Sequence, residues 1–325
     1  MPLSVTAVIT AHDRRAFLPS ALRSVVAAGA DEIVVVRNFD DPVEGDPGHV
    51  RYVHCDVPET GEKQARGIEN ATGELVALLD DDDLWEPNKL SVVRQRFVEQ
   101  PELVYLNHAQ HPIGPDGAPV TAHHPELAAR DPGAFARWDG KDLRTLLERI
   151  FPGNSSSTCL RRAWAREEIA ALRQVGWSAD TFWLVVAWLD RRPLTIIPDT
   201  LTKLRLHTAN MSQTRGSNPA EFRSRHETMC RRFAASNAAL AQLIAERRGD
   251  SEPRSRYCQQ NATGFEFLAD LEADRKPRSA AWAALRRGPG GRDAAVRRAA
   301  LATLVSPGMA RNLLYRSNLN RWRIQ

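Results

Sequence analysis

Four consecutive aspartates, Asp80 to Asp83, follow the apolar run LVALL and stand directly before Leu84 and Trp85. A strand that ends in acids at the carboxyl edge of an α/β sheet lies where such sheets bind ligands. Adjacent carboxylates repel one another strongly unless a cation lies between them. Because oxygen-only ligands favour Mg²⁺ or Mn²⁺ over zinc, the motif predicts a divalent cation site rather than a solvated acidic loop.

The segments around this motif alternate β-rich runs with helical patterns, which predicts an α/β fold with a mostly parallel sheet flanked by helices. Strands are predicted at 4–10, 32–36, 51–55, 75–80, 102–109, 156–161, 194–198 and 201–207. Helices are predicted at 16–28, 62–72, 142–149, 163–173 and 179–190, with another that begins near Pro87. The polar stretch up to about residue 140 indicates a lid or insertion, and the chain beyond Pro219 has a helical pattern.

Charge divides the chain into two parts. Residues 1–215 hold 24 Lys+Arg and 30 Asp+Glu, whereas residues 216–325 hold 20 and 10. We therefore predict a catalytic domain at 1–215 and a basic helical C-terminal extension at 216–325. The extension is interpreted either as a solvated, packed helical surface or as a peripheral contact with an anionic membrane.

Other features narrow the class of protein. The longest apolar stretch, at 182–189, is shorter than the roughly 18 residues that cross a bilayer, and the first residues resemble a strand rather than a signal peptide. The four cysteines match neither a disulfide framework nor a zinc cluster. These patterns predict a cytoplasmic protein that has free thiols and no nucleic-acid partner, and they leave its oligomeric state open.

Three ordered segments resemble glycosyltransferases of family 2, which have the GT-A fold. VTAVITAHDR is similar to the opening strand and loop of that family, and ARGIENATGELVALLDDDDLWEPNKL is similar to its helix, turn and Asp-x-Asp segment. LRLHTANMS resembles a late segment that contains a histidine. The resemblance spans residues 4–212 and implies a metal-dependent, inverting transfer from a nucleoside-diphosphate sugar, linked to UDP or GDP, to a glycan, lipid-linked or small-molecule acceptor.

The resemblance also implies roles for individual residues. The predicted ligands of Mn²⁺ or Mg²⁺ are Asp82, Asp83 and His207. The predicted contacts with the nucleotide donor are Thr10, Ala11, Asp13, Arg14, Arg37, Asn38, Lys63, Asp80 and Asp81. Arg37 and Asn38 stand where the family usually has two aspartates, one of which reads the base, so an Asn38 amide or one of Asp40 and Asp41 is the expected replacement. Lys63 has the alternative interpretation of an exposed helix charge.

An inverting displacement also needs a base that removes the proton of the acceptor hydroxyl. Asp180, early in a helix with Ser178 as its predicted N-cap, resembles the catalytic carboxylate of the family and is the only acid between Glu168 and Asp190. Its alternative role is to stabilise the helix dipole. The predicted acceptor and sugar pocket comprises Trp85, Asn154, Ser155 and Ser156.

Two other functions fit parts of the sequence. A sugar nucleotidyltransferase would share the nucleotide, the metal and the sheet, but it should have a glycine-rich loop after its first strand. TAHDRRAF contains no glycine. A non-catalytic carbohydrate- or lipid-binding protein on a degenerate transferase scaffold would explain the missing base-reading aspartates, but it would not require the acid cluster or Asp180.

Overall fold

The protein is described by a computed structural model over residues 2–120, 130–137, 140–207, 218–248, 253–275, 277–287 and 293–321. The chain divides into two compact units, and among the described residues the first ends at Leu206 and the second begins at His207. The predicted boundary after residue 215 lies outside the described residues, so the division at that position stays a prediction.

A single eight-stranded sheet forms the framework of the first unit, in the order β3-β2-β1-β4-β7-β6-β8-β5. Its strands are β1 (Val5–Thr10), β2 (Glu32–Arg37), β3 (Val50–His54), β4 (Leu75–Asp80), β5 (Leu84–Trp85), β6 (Tyr105–Ile113), β7 (Thr158–Arg161) and β8 (Leu194–Arg205). The four strands β3, β2, β1 and β4 run parallel. β7 is antiparallel to both of its neighbours, which makes the other half of the sheet mixed.

Helices cover the sheet because their apolar residues recur on one face. The helices are α1 (Leu18–Ala27), α2 (Thr60–Asn70), α3 (Lys89–Glu99), α4 (Leu143–Thr145, continued as a π-helix to Ile150), α5 (Arg162–Glu167), α6 (Ile169–Val175) and α7 (Ala179–Leu189). In α1 the buried residues are Leu18, Ala21, Leu22 and Val25, the spacing of an amphipathic helix. Gly67 lets α2 approach the sheet, since a Cβ there would collide with the Val8 side chain.

The predicted α/β architecture is confirmed, although some local elements differ. The two strands predicted at 194–198 and 201–207 form the single strand β8, whose pairing with β6 is irregular near Ala109. The helix predicted at 163–173 is divided at Glu168 into α5 and α6. Of the polar stretch before residue 140, residues 121–129 and 138–139 lie outside the described part.

The second unit is helical throughout its described part. Its helices are α8 (Pro219–Arg248), α9 (Pro253–Glu272), α10 (Pro277–Arg287), α11 (Asp293–Val305) and α12 (Pro307–Arg321). They enclose a core rich in alanine, in which Ala281, Ala284, Ala300 and Ala310 pack against Phe267. No helix in the described ranges is both long and apolar enough to cross a membrane.

A buried ion pair joins α8 to α9 in the second unit. His226 Nδ1 lies 2.7 Å from Glu272 Oε1, and the imidazole is stacked on Phe222. Burial alone would lower the pKa of His226, but its interactions with Cys230 and Glu272 raise that pKa to about 10. Since the folded pKa is above the ordinary value, the pair stabilises the fold fully below about pH 6.5. The stabilisation is lost as the pH rises through about 10.

Glu272→Gln is therefore expected to flatten the decrease in unfolding free energy between pH 6.5 and 10, because Gln does not hold the proton on His226. The measurement is the urea midpoint of the full chain at several pH values. Asp270→Asn is the control, since it breaks the less buried pair of Asp270 with Arg231 on the same helices. Parallel pH profiles for the parent and Glu272→Gln would show that His226 does not titrate as described.

Candidate active site

The acid cluster, defined as Asp80 to Asp83, lies where the two central parallel strands end together. Thr10, the last residue of β1, is paired in register with Asp80, the last residue of β4. The Thr10 hydroxyl donates to Asp80 Oδ1 at 2.9 Å, and the Asp81 amide donates to the Thr10 carbonyl at 3.1 Å. The predicted donor residues Thr10 and Ala11 therefore line the edge of the sheet that holds the acids.

Arg14 is the main cation beside this cluster. Its guanidinium lies 2.5 Å from Asp81 Oδ1 and 2.5 Å from Asp82 Oδ2, so one side chain bridges two carboxylates. Both acids are buried, and Arg14 is itself mostly covered. The loop after β1 thus places a positive charge on the acids that follow β4, although the two segments are far apart in the sequence.

Asp83 has a different environment from Asp82. Its Oδ1 accepts the Arg205 amide at 2.8 Å, and its Oδ2 accepts the Asn154 side-chain amide at 3.1 Å. The Arg205 guanidinium also donates to the Asp82 carbonyl at 2.7 Å and to the Pro115 carbonyl at 2.8 Å. These bonds attach the end of β8 to the acid cluster, so Asp83 holds the local fold together in addition to any ligand contact.

The pKa values of the cluster show how much negative charge is concentrated there. Burial and the charge of Asp82 raise the pKa of Asp80 to about 6 and that of Asp83 to about 8. Burial also raises the pKa of Asp81 well above its ordinary value, although Arg14 opposes the shift. One arginine therefore does not fully neutralise four adjacent carboxylates, and a further cation would favour their ionised form.

The donor set fits a hard divalent cation. It consists of carboxylate oxygens, the ligands that Mg²⁺ and Mn²⁺ prefer. Within the described ranges, no group of three or more His, Cys, Asp or Glu side chains has metal-binding geometry. Mg²⁺ commonly binds one or two carboxylates and takes its other ligands from water and substrate phosphates, and the cluster has the composition for that arrangement.

Lys63 contributes a second positive charge near the end of β1. It is buried rather than an exposed helix charge, and its ammonium donates to the Ala11 carbonyl and lies 3.1 Å from His12 Nδ1. Burial lowers the pKa of Lys63, while the charge of Asp81 raises it. The ammonium therefore lies in the electrostatic environment of the acid cluster.

Asp13 and Asn38 pair with each other across the loops after β1 and β2. Asn38 Oδ1 accepts the Asp13 amide at 3.1 Å, and Asn38 Nδ2 donates to Asp13 Oδ1 at 2.8 Å. Asp13 has a positive φ of 59°, which this reciprocal pair helps to hold. Arg37 stacks on the Tyr52 ring at 3.9 Å and donates to the Asp41 carbonyl. Any base contact by Asn38 or Arg37 would thus replace contacts within the protein.

The residues predicted to line the acceptor pocket form a buried layer behind the acids. Ser155 accepts a hydrogen bond from Gln64, and Ser156 Oγ accepts the Asp80 amide. The Ser156 carbonyl accepts from Trp85 Nε1 at 3.3 Å, from Lys89 Nζ at 2.6 Å and from Thr202.

Trp85 belongs to the hydrophobic core, so packing explains its position without a sugar. Asn154, Ser155 and Ser156 are likewise buried.

Asp180 lies in the first turn of α7 and is partly exposed. Its Oδ1 accepts the Thr181 amide at 2.8 Å, whereas Ser178 stands at the N-cap position without a side-chain capping bond. Burial raises the pKa of Asp180, and the charge of Arg130 opposes that shift. The charge of Asp180 in turn raises the pKa of Asp80, so the two carboxylates are within electrostatic reach.

His207 is buried and follows β8 at the start of the second unit. Its predicted contact with a metal stays a prediction.

Three polar residues outside the predicted set organise the site. Arg205 holds Asp83 and Asp82, as described above. Gln64 donates to Ser155 and accepts from Trp183 Nε1 at 2.8 Å, and thus joins α2 to α7. Lys89 is fully buried under Trp85, and burial lowers its pKa to about 8. The sequence could have indicated Gln64 and Lys89, because both are polar residues at helical positions where the periodicity predicts a buried side chain.

Arg14→Gln is expected to strengthen Mn²⁺ binding in the absence of nucleotide by about tenfold or more, because it removes the positive charge that bridges two buried carboxylates. The binding constant can be measured by isothermal titration calorimetry. Arg15→Gln is the control, since Arg15 is exposed and pairs with Asp41 instead. Equal Mn²⁺ affinity in the parent and both variants would exclude Arg14 as the internal counter-ion of the cluster.

Comparison with known proteins identifies the family of the chain. The sequence pattern described as Glycosyl transferase family 2 matches residues 6–169, just over half of the 325 residues. None of the curated proteins compared matches the chain significantly.

Solved structures show a similar fold. TarS 1-349 from S. aureus in complex with UDP-GlcNAc has a TM-score of 0.50 and 13% identity, over 99% of this chain and 92% of that one. Another structure of TarS 1-349 has a TM-score of 0.49 and 13% identity, over 99% and 91%. At this identity the first structure supports the GT-A fold alone. The family match extends from β1 through the acid cluster to α6, and the chain belongs to glycosyl transferase family 2 and is a glycosyltransferase.

Proposed function

We propose that the chain transfers a sugar, with inversion, from a nucleoside-diphosphate sugar to an acceptor hydroxyl, and that it requires Mn²⁺ or Mg²⁺. The observation that carries this proposal is the acid cluster at the ends of β1 and β4, where one arginine bridges only two of the four adjacent carboxylates. A divalent cation would supply the positive charge that this arrangement lacks, and it would also bind the diphosphate of the donor. TarS, which has a similar fold, binds UDP-GlcNAc, so UDP sugars are the first donors to test.

We assign the cation to Asp82 and Asp83, two of the three ligands that the family resemblance implies. When bound, it stabilises the negative charge that develops on the leaving diphosphate. Both Asp83 oxygens also accept hydrogen bonds, so Asp83 would hold the cation and the local fold together. Arg14 pairs with Asp81 and Asp82 in the structure, and its guanidinium would donate to a diphosphate oxygen of the bound donor.

The remaining side chains orient the donor and activate the acceptor. Asn38 and Asp13 give up their mutual hydrogen bonds and form hydrogen bonds with the edges of the nucleoside instead. Lys63 stays beneath the loop after β1 as a fixed positive charge. Asp180 removes the proton of the acceptor hydroxyl as that oxygen attacks the anomeric carbon. Its raised pKa suits this step, since a stronger base accepts a proton more readily.

The proposal is tested by the thermal stability of the full chain with a panel of UDP, GDP, ADP and CMP sugars, each with Mn²⁺ or with EDTA. A true donor should raise the melting temperature by mass action in the presence of Mn²⁺ and much less in EDTA. The Arg15→Gln variant serves as a control for non-specific binding of anions. Equal stabilisation in Mn²⁺ and EDTA would contradict the metal dependence, and stabilisation by no member of the panel would contradict the donor class.

A further inference from the structure

The positive charge of the second unit is concentrated in its last three helices. Residues 216–276 hold ten Lys+Arg and nine Asp+Glu, so their charges nearly balance. Residues 277–325 contain ten arginines, no lysine and only one acid, Asp293. The imbalance therefore belongs to α10, α11 and α12 rather than to the helical unit as a whole.

The outer face of α10 has an aromatic residue between two arginines. Trp282 is 54% exposed, and Arg278 and Arg286, one turn before and one turn after it, are also exposed. Ala281 and Ala284 form the opposite, buried face of the helix. A tryptophan beside arginines, with its ring open to solvent, differs from the usual placement of this large side chain in a core.

The next two helices repeat this pattern. On α11, Arg297, Leu301 and Val305 follow one another at four-residue spacing, with Leu301 57% and Val305 72% exposed. On α12, Met309 and Leu313 are 44% and 52% exposed, and the exposed Arg316 follows on the same face. The spacings of three and four residues place the members of each set on one side of their helix.

These faces do not contribute to the core of the unit. The three helices share a buried cluster, which leaves the exposed apolar residues outside it. Its members from these helices are Ala281, Ala284, Val296, Ala299, Ala300 and Ala310. Arg278, Arg286 and Arg316 form no ion pair with any side chain that the structure describes. In contrast, α8 neutralises arginines of its own with acids, as in Arg225 with Glu221 and Arg231 with Asp270.

We propose that Arg278, Trp282, Arg286, Arg297, Leu301, Val305, Met309, Leu313 and Arg316, here named the Arg-apolar surface, dock the protein on an anionic lipid bilayer. Guanidinium groups bind lipid phosphates through paired hydrogen bonds. Tryptophan prefers the level of the headgroups, and leucine, valine and methionine bury apolar area at the acyl boundary. This surface offers both kinds of contact on three successive helices, with no acid among its nine residues.

Charge distinguishes the bilayer from other occupants of this surface. A second copy of the chain would bring two arginine-rich faces together, and their like charges would repel. A soluble polyanion would pair with the arginines but would leave Trp282, Leu301 and Val305 in water. An anionic bilayer is the partner whose chemistry uses both the charged and the apolar residues.

The test is co-sedimentation of the full chain with vesicles of phosphatidylcholine alone or with 30% phosphatidylglycerol, at low and high salt. The parent should bind only the anionic vesicles, and more weakly at high salt. Replacement of Arg278, Arg286, Arg297 and Arg316 by Gln should weaken binding by at least tenfold. A matched control replaces Arg15, Arg51, Arg96 and Arg137, which are exposed in the first unit, and should bind like the parent.

The apolar contacts are tested separately. Trp282→Ser with Leu301→Ser should weaken vesicle binding at high salt, where the charges are screened, and circular dichroism checks that the helices remain. Four results would each overturn the proposal. Two are no binding to anionic vesicles and an equal loss of vesicle binding in the four-arginine control. The others are binding to soluble polyphosphate but not to vesicles, and a dimer that Trp282→Ser with Leu301→Ser abolishes in a chain that binds no vesicles. None of these readouts depends on the transferase activity.

Discussion

Asp180→Asn is expected to lower the rate of sugar transfer by about 10²–10⁴-fold, because the amide has no basic site for the proton of the acceptor hydroxyl. Asparagine keeps the oxygen that accepts the Thr181 amide, so the first turn of α7 should persist. Binding of the donor and the cation should therefore be nearly unchanged. The measurement compares kcat for transfer with the melting temperature and with the dissociation constant of the donor.

Asp190→Asn is the matched control, since Asp190 follows the last residue of the same helix, about 15 Å away along its axis. This variant should turn over at close to the parent rate. If α7 only needs an acid to favour its dipole, Asp180→Asn would instead cost about 0.3–1 kcal/mol of stability and leave kcat unchanged. A slow Asp190→Asn together with an active Asp180→Asn would move the base to Asp190.

Asp82→Asn is expected to abolish the part of nucleoside-diphosphate binding that depends on the divalent cation. The carboxylate is buried and faces Arg14, so its loss removes a negative charge from the place where a cation would bind. The amide can still accept a hydrogen bond from Arg14, which should keep the melting temperature close to that of the parent. Calorimetric titration of UDP and GDP with and without Mn²⁺ measures the effect.

Asp83→Asn separates a ligand role from a structural one. Its two oxygens accept the Arg205 amide and the Asn154 side chain, and an asparagine retains only one acceptor oxygen. We expect this variant to lose about 1–3 kcal/mol of stability as well as cation binding. Unchanged Mn²⁺-dependent binding in Asp82→Asn would place the cation elsewhere, and unchanged stability in Asp83→Asn would remove its structural role.

Much of the fold could be predicted because the central strands are buried on both faces and are therefore nearly continuous apolar runs. VTAVIT and LVALLD are examples, and each forms a strand at the predicted place. The prediction of two strands between 194 and 207 was wrong, because they form a single strand that contains Pro198. In the structure β8 continues through this proline, at the irregularity of its pairing with β6.

The acid cluster could also be predicted, since its position depends only on the end of one strand. The partners of the acids could not, because they come from distant segments. Arg205 meets Asp83 and Asn154 meets Asp83 across separations of 122 and 71 residues. The buried state of Lys63 and of Trp85 depends in the same way on packing between elements. Local patterns determine strands and helices, whereas these contacts are determined by how distant strands and helices pack together.

The central claim is that this chain cleaves the bond between a sugar and a nucleoside diphosphate at the acid cluster. It is tested most directly by the products that the full chain releases from UDP and GDP sugars with Mn²⁺, with water as the acceptor until a better one is found. We expect free nucleoside diphosphate from one of these donors, with much less in EDTA and from Asp82→Asn. Release of nucleoside monophosphate or triphosphate, or donor binding with no release of nucleoside diphosphate, would contradict it.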